Sequence, residues 1–510
     1  RGAPAARTRV PEPWLGVALP EEVSRLHFMS TRETPPRTEE CELCIVGAGY
    51  AALNGLNAAA KYLKKGDRVV VIDRMETWGG QWVPQYDFVR LHQPYRMFTA
   101  GDQRWTLERD PAHLATRREI LDHLSTVPAV SAGHLEVRAL FGHDYTGHHI
   151  RGARVEVDAV PVAGAEASAG PVRIRARRLL KGTGLKIEML KAFPLSSTRV
   201  RSVPMTDPVL TTPEFLRSPA PVFVIGSGKT GMDCVRHVLA GSEARRPIHA
   251  IPGSGMWFFV RDNFYPRGYR RFGQGTLMAD GFMRICSLFE GENEAQIAQS
   301  LERDGLFMNV FGQGGNFRFG VQSIAERDEV RAGVTQVHWG HLVDVEGTRM
   351  TLRTGAELHE VAVPEGSWFV NCTSHLRHFP HEPVLQDSGL VCSPQFSMGF
   401  TGTSAYYLTH LWYRDALATV AAELFRTRLD IEPKLRFMPE FSLMVLPNIA
   451  LAGPHLPLSI HSRFQGDLNK WYPSYRQLPT LARILKTRNG MIRKAERLLK
   501  QRWSDAPDPS

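Results

Sequence analysis

The chain has 510 residues, of which 43% are apolar, 22% charged and 9% aromatic; this excludes a disordered or low-complexity protein and allows a large core without disulfide or metal staples. At roughly 150 residues per domain the length corresponds to about three domain-sized units. The 62 Lys and Arg against 52 Asp and Glu give a net charge of +10, but residues 476–503 hold nine bases and only Glu496, so the remainder is near neutral and a nucleic-acid-binding surface spread over the protein is excluded.

Residues 1–40 read as an N-terminal extension, rich in Pro, Arg and Thr and without an apolar block resembling a signal peptide. No run approaches the roughly 20 apolar residues of a membrane span, and the expected compartment is the cytoplasm. Six cysteines make no disulfide framework in a chain this long. Cys41 and Cys44 form a C-x-x-C spacing, but inside a strand-like run, which favours a structural role over redox or metal chemistry.

From that run an apolar strand, Leu43 to Val46, leads into Gly47-Ala48-Gly49-Tyr50-Ala51-Ala52. An Ala-rich helical stretch to about Lys65 follows, Gly66 stops it, and Arg68–Asp73 reads as a second strand. Strand, glycine turn, helix and strand in this order form a dinucleotide-binding unit. Gly47 permits the tight turn, Gly49 lets backbone approach a pyrophosphate, Ala52 keeps helix and strand close, and Asp73 stands where an acid would bond an adenosine ribose.

The pattern returns at Pro221–Ile225, with Gly226-Ser227-Gly228-Lys229-Thr230-Gly231 and a helix through about Leu239. A phosphate loop of the Walker type would need a glycine five positions before Gly228, and position 223 is Phe. The next strand, Pro247–Ile251, is followed by Pro252-Gly253-Ser254 rather than by an acid. That absence counts against NAD and leaves room for the extra phosphate of NADP. Arg245, Arg246, Ser254 and Arg261 are candidate phosphate partners, with ordinary surface roles as the alternative for each. An empty, degenerate second site is a further alternative.

Two such units imply an α/β protein with two Rossmann-like domains, as used to pass hydride from nicotinamide to flavin. The expected plan is a discontinuous FAD domain, 41–211 and 373–475, around an inserted NAD(P) domain, 212–372. Within the latter, 272–330 reads as an insertion that helps form a lid. Three short apolar strands, Leu179–Gly184, Trp368–Ser374 and Asn448–Gly453, support the return to the first domain. Residues 476–510 form a basic helical tail that breaks at Asn489-Gly490, with Ile492, Ala495, Leu498 and Leu499 on one face. A docked helix with solvated charges is the favoured reading of that tail; an anionic membrane or acidic partner is the alternative.

Gly79-Gly80-Gln81-Trp82 and the stretch Tyr86 to Tyr95, with Leu91-His92-Gln93-Pro94 inside it, add to the two glycine loops. Together they resemble the class B flavin-dependent monooxygenases, above all the flavin-containing and plant auxin-forming groups. The resemblance covers about 41–105 and 178–240. It implies FAD held by Gly47, Gly49, Ala52 and Asp73, with Gly80, Gln81 and Trp82 near its ring, and NADPH seated on Gly226, Gly228 and Gly231, with Lys229 and Thr230 in the same loop. It further implies hydride transfer from NADPH to FAD, then molecular oxygen captured as a C4a-peroxyflavin that delivers one atom to a small or medium organic substrate. His92, with Gln93 beside it, would be the catalytic pair; a His titrating near neutrality could donate to the peroxide and manage the proton. A histidine merely packed against the cofactor is the alternative.

The family's Phe-x-Gly-x-x-x-His fingerprint is missing from 198–215, which argues against a Baeyer–Villiger enzyme. Two rival readings stay open: a flavin oxidase or dehydrogenase with a degenerate nicotinamide site, and a non-catalytic flavin-binding regulator. No metal is expected, since His375, His378 and His381 are interrupted by Pro and have no carboxylate or cysteine cluster. The aromatic and arginine mixture between Trp257 and Arg271 reads as cover for a nicotinamide or substrate cleft rather than as a nucleic-acid platform.

Overall fold

The run Cys41–Val46 is the buried half of a strand, Arg37–Val46, in a computed structural model that describes residues 36–163, 170–184, 191–242, 246–373, 381–429, 431–499 and 502–503. Arg68–Asp73 pairs with it in parallel on one side and Val172–Lys181 on the other. Glu136–Phe141 and Val391–Cys392 extend the sheet outward. Leu43, Val69, Val71 and Leu180 are fully buried, as a parallel sheet covered on both faces requires. The helices Tyr50–Ala59 and Thr401–Tyr413 pack together on this sheet. A hairpin, His143–Arg151 with Arg154–Pro161, pairs through its second strand with the first half of Val172–Lys181.

A second parallel sheet runs in the order Gln336–Val337, Ile248–Ile251, Val222–Ile225, Trp368–Asn371, Arg201–Pro204. The helix Lys229–Gly241 follows its central strand, and a three-stranded meander, 341–362, lies beside it. A third body has no counterpart in either unit. Gly255–Val260 pairs with Phe307–Gly314 and Asn316–Gln322, and the helices Met278–Leu288, Phe437–Ala452 and Ser474–Leu498 pack on one another beside it. They share one core that includes Phe259, Phe282, Phe317, Phe441, Met444 and Ala495.

Several expectations change. Asn448–Gly453 is not a strand: residues to Ala452 end the helix Phe437–Ala452. Its residues 437–447 are all buried, and a helix enclosed on every side reads as a continuous apolar run like a strand. The first sheet is instead continued beyond Val172–Lys181 by Val391–Cys392, with Leu385–Gln386 at the edge. Trp368–Asn371 lies in the second sheet, and so does Arg201–Pro204, before the boundary expected at 212. The extra material begins at Gly255 rather than 272 and is completed by residues after 425, which had been expected in the FAD domain. The C-terminal helix passes unbroken through Asn489-Gly490. Met491 and Ala495 are buried just beyond, and their packing offsets the ~1 kcal/mol that a helical glycine costs.

Candidate functional site

Both glycine loops open onto one cavity of about 880 Å3. In the first loop Gly47 has φ +102°, and a side chain there would lie 2.7 Å from the Gly182 carbonyl oxygen. Gly80, at φ +54°, lies so close to the loop that a Cβ on it would meet Gly49 Cα at 2.6 Å. The turn Gly79–Trp82 is thus pressed onto the first glycine loop, and only glycines permit that approach. Ala52 is behind the wall rather than on it, facing Gly182, where an added Cβ would come within 2.7 Å of Ala52 Cα. Asp73 lines the cavity and accepts hydrogen bonds from the backbone N–H of Ala48 (2.5 Å) and Met75 (2.7 Å). Burial raises its pKa. Gln81 and Trp82 also reach the wall, and the buried indole Nε1 of Trp82 has no hydrogen-bond partner. An unpaired buried donor beside a backbone cradle that no Cβ could enter fits a planar, hydrogen-bonding cofactor such as a flavin.

In the second loop Gly226 has φ +109° and lies against Cys372. Gly228, Lys229 and Thr230 line the cavity, whereas Gly231 packs behind it, where a Cβ would come within 2.2 Å of the Gly226 carbonyl oxygen. Lys229 is not turned outward. Its ammonium pairs with Asp233 one helical turn on, and Asp233 also accepts from the Tyr86 hydroxyl at 2.9 Å. Tyr86 comes from the segment before His92, so this buried triad fastens the two units together.

His92 and Gln93 line the same cavity. The expectation that His92 titrates near neutrality is overturned: its pKa is pushed down to about 3, first by burial and then by the positive charges of Lys229 and Arg261. The imidazole is neutral at physiological pH, held by a hydrogen bond to the Phe319 backbone. It can donate or accept a hydrogen bond, but it is no proton reservoir. Arg261 anchors the segment by donating to the His92 carbonyl at 3.1 Å, and pairs with the buried Glu326.

The proposed phosphate partners separate. Ser254 lines the cavity. Arg246 does not: it donates to the carbonyls of Phe215 and Ala220 (2.6 Å each) and burial drops its pKa to about 10. Arg261 is engaged as described, and Arg245 lies outside the described residues, as do His375 and His378. Cys41 and Cys44 are buried, and burial raises both thiols, Cys41 to about 12. Among the described residues no group of three His, Cys, Asp or Glu could hold a metal ion.

Sequence reading missed Lys434 and His341, which line the cavity with Ser254, and Phe319, Phe400, Phe437 and Phe441, which give it an aromatic wall. Phe319 holds φ +57°, a strained conformation for a bulky residue. None of these lies in a motif, and no local signal marked them; they meet only in the folded chain, His341 from the meander, Phe400 from the start of the helix Thr401–Tyr413, and the others from the third body.

Two parallel sheets, each with a glycine loop at its strand ends, facing a shared cavity decide the architecture. The fold is that of two-domain FAD and NADP flavoproteins. A polycyclic ketone monooxygenase from Thermothelomyces thermophila shares it at a TM-score of 0.50 and 10% identity, over 90% of each chain. A flavin-containing monooxygenase from Stenotrophomonas maltophilia is similar at a TM-score of 0.44 and 14% identity, over 75% of this chain and 99% of that one. Both neighbours are oxidoreductases. In sequence the chain is 24% identical over 405 residues to an uncharacterised protein of Mycobacterium tuberculosis, covering 72% of this chain and 67% of that one. No family model matches.

Proposed function

We propose that the protein is a flavin-dependent oxidoreductase that uses FAD and NADPH with molecular oxygen to oxygenate an apolar organic molecule. The observation that carries this reading is the single cavity into which both glycine loops, Trp82 and His92 open. When bound, the flavin would supply hydride acceptance and oxygen activation. Gly47, Gly49 and Asp73 would hold its nucleotide half, and the Gly80 cradle and Trp82 Nε1 its ring. Gly226, Gly228 and Thr230 would receive the nicotinamide nucleotide, with Ser254, His341 and Lys434 available to a phosphate. Neutral His92, fixed by Phe319 and Arg261, would orient a hydrogen bond toward the reacting atoms without releasing a proton. The aromatic wall of Phe319, Phe400, Phe437 and Phe441 would exclude water and select apolar substrates.

The test is an anaerobic NADPH titration followed by flavin absorbance, then admission of air with product and hydrogen peroxide measured. Bleaching followed by oxygenated product is expected. A flavin that NADPH does not bleach would end the nicotinamide part of the proposal. Peroxide alone would favour a second reading, a flavin oxidase, for which the commitment of Lys229 to Asp233 and of Arg246 to backbone carbonyls speaks.

A further inference from the structure

Six of the fourteen large apolar side chains that are exposed among the described residues lie on one face. Tyr475, Leu478, Leu481 and Leu485 succeed one another at three- and four-residue steps along the helix Ser474–Leu498, which aligns them in a stripe; Leu478 is 63% exposed and Leu485 59%. Tyr269 and Phe272 continue the stripe. The Tyr475 hydroxyl donates to the Phe272 carbonyl, and Arg476 donates to the carbonyls of Arg271 (3.2 Å) and Gly275 (2.8 Å). The helix is firmly docked on its other side: Thr480, Met491 and Ala495 are buried, and Thr480 and Arg483 hold Asp280 at 3.0 and 2.7 Å. The stripe is therefore fixed outward, not loosely frayed.

Its charge is predominantly positive. Residues 266–275 and 474–498 contain ten Lys and Arg and one acid, Glu496. Only some of these bases are matched by neighbouring carboxylates, as Arg483 is by Asp280 and Lys494 by Glu290. Among the described residues no helix is long and apolar enough to cross a membrane, so a bilayer could meet this face only from its surface. Leucines and tyrosines with a basic rim on a rigid helix match that interface, where apolar side chains enter the acyl boundary and bases meet anionic headgroups.

We propose that this face docks on the surface of an anionic phospholipid bilayer. The docked helix adjoins Met278–Leu288, whose Met278 and Phe282 line the cavity, so the bilayer would lie one helix away from the site. The inference stands on the surface alone and does not depend on the redox chemistry.

Co-sedimentation of the full chain with phosphatidylcholine–phosphatidylserine vesicles, and with phosphatidylcholine vesicles, tests it. Binding to the anionic vesicles is expected, weaker by about tenfold on neutral ones and reduced by high salt. The triple variant Leu478→Glu, Leu481→Glu, Leu485→Glu should lose at least about tenfold in vesicle affinity, with unchanged circular dichroism because all three side chains are exposed. Lys486→Glu with Arg493→Glu, which spares the stripe, should remove the preference for anionic vesicles. Equal vesicle binding by wild type and the triple variant would overturn the proposal, as would no vesicle binding at all. In the latter case, a dimer in light scattering that the triple variant dissociates would assign the face to a second copy, and binding of polyglutamate would assign it to an acidic protein.

Discussion

The two glycine loops have almost the same sequence pattern and different surroundings. The first is open: its backbone faces the cavity, Asp73 closes its second strand, and Gly80 presses a second glycine turn onto Gly49. The second faces the same cavity through Gly228, Lys229 and Thr230, but Lys229 is bound to Asp233, Tyr86 completes a buried triad, and no acid follows Ile251. The third motif position shows the same contrast. Ala52 is tolerated because it faces the bare backbone of Gly182, whereas Gly231 faces the Gly226 carbonyl and leaves no space for a methyl group. One motif can thus face a cavity in both copies and, in the second, also fasten the units together.

The strongest way to break this comparison is Asp233→Ala. It leaves the largely buried Lys229 ammonium and the Tyr86 hydroxyl unmatched, and should cost about 3–5 kcal/mol of stability in urea unfolding. A loss below about 1 kcal/mol would mean that the triad does not fasten the units. Next comes Gly80→Ala, which forces a side chain into Gly49 at φ +54°. Strain of about 1–3 kcal/mol predicts flavin affinity roughly 5- to 150-fold weaker, read from the absorbance ratio of the purified protein, with little effect on nicotinamide binding.

His92 gives a smaller, pH-dependent effect. Unfolded, it binds a proton below its ordinary value of 6.5; folded, it stays neutral down to about 3. Stability is therefore lost as pH falls from 6.5 toward 3, by about 2 kcal/mol from this group at pH 5. His92→Gln should flatten that part of the stability profile, and unaltered pH dependence would contradict the burial. The smallest effect is expected from Gly231→Ala, which displaces the second loop by its clash with Gly226. A rise of about tenfold in the nicotinamide nucleotide's Kd, near 1.4 kcal/mol, with flavin loading intact, would sharpen the division between the loops.

Both loops were legible because their requirements are local: a turn at positive φ, a close backbone approach and a flanking apolar strand each leave a residue type in place. The same holds for the Gly79–Trp82 turn and for His92 as a cavity residue. The protonation state of His92 was not legible, because burial, Lys229 and Arg261 act on it from positions far apart in the chain. Helix Phe437–Ala452 was misread because full burial erases the amphipathic period that would mark it. Arg246 looked like a phosphate ligand only while the carbonyls of Phe215 and Ala220 were out of view.

By itself, then, the sequence determined two units of strand, glycine turn and helix, their order and the residues of their turns, since these depend on contacts within a few dozen residues. Only the tertiary structure decided that both units open into one cavity, that Lys229 and Arg261 are spent on holding the site together, and that a third body supplies most of its aromatic wall. It also decided which side of the basic tail is buried and which is displayed. Those outcomes depend on which distant side chains meet once water is excluded, and no local pattern encodes that.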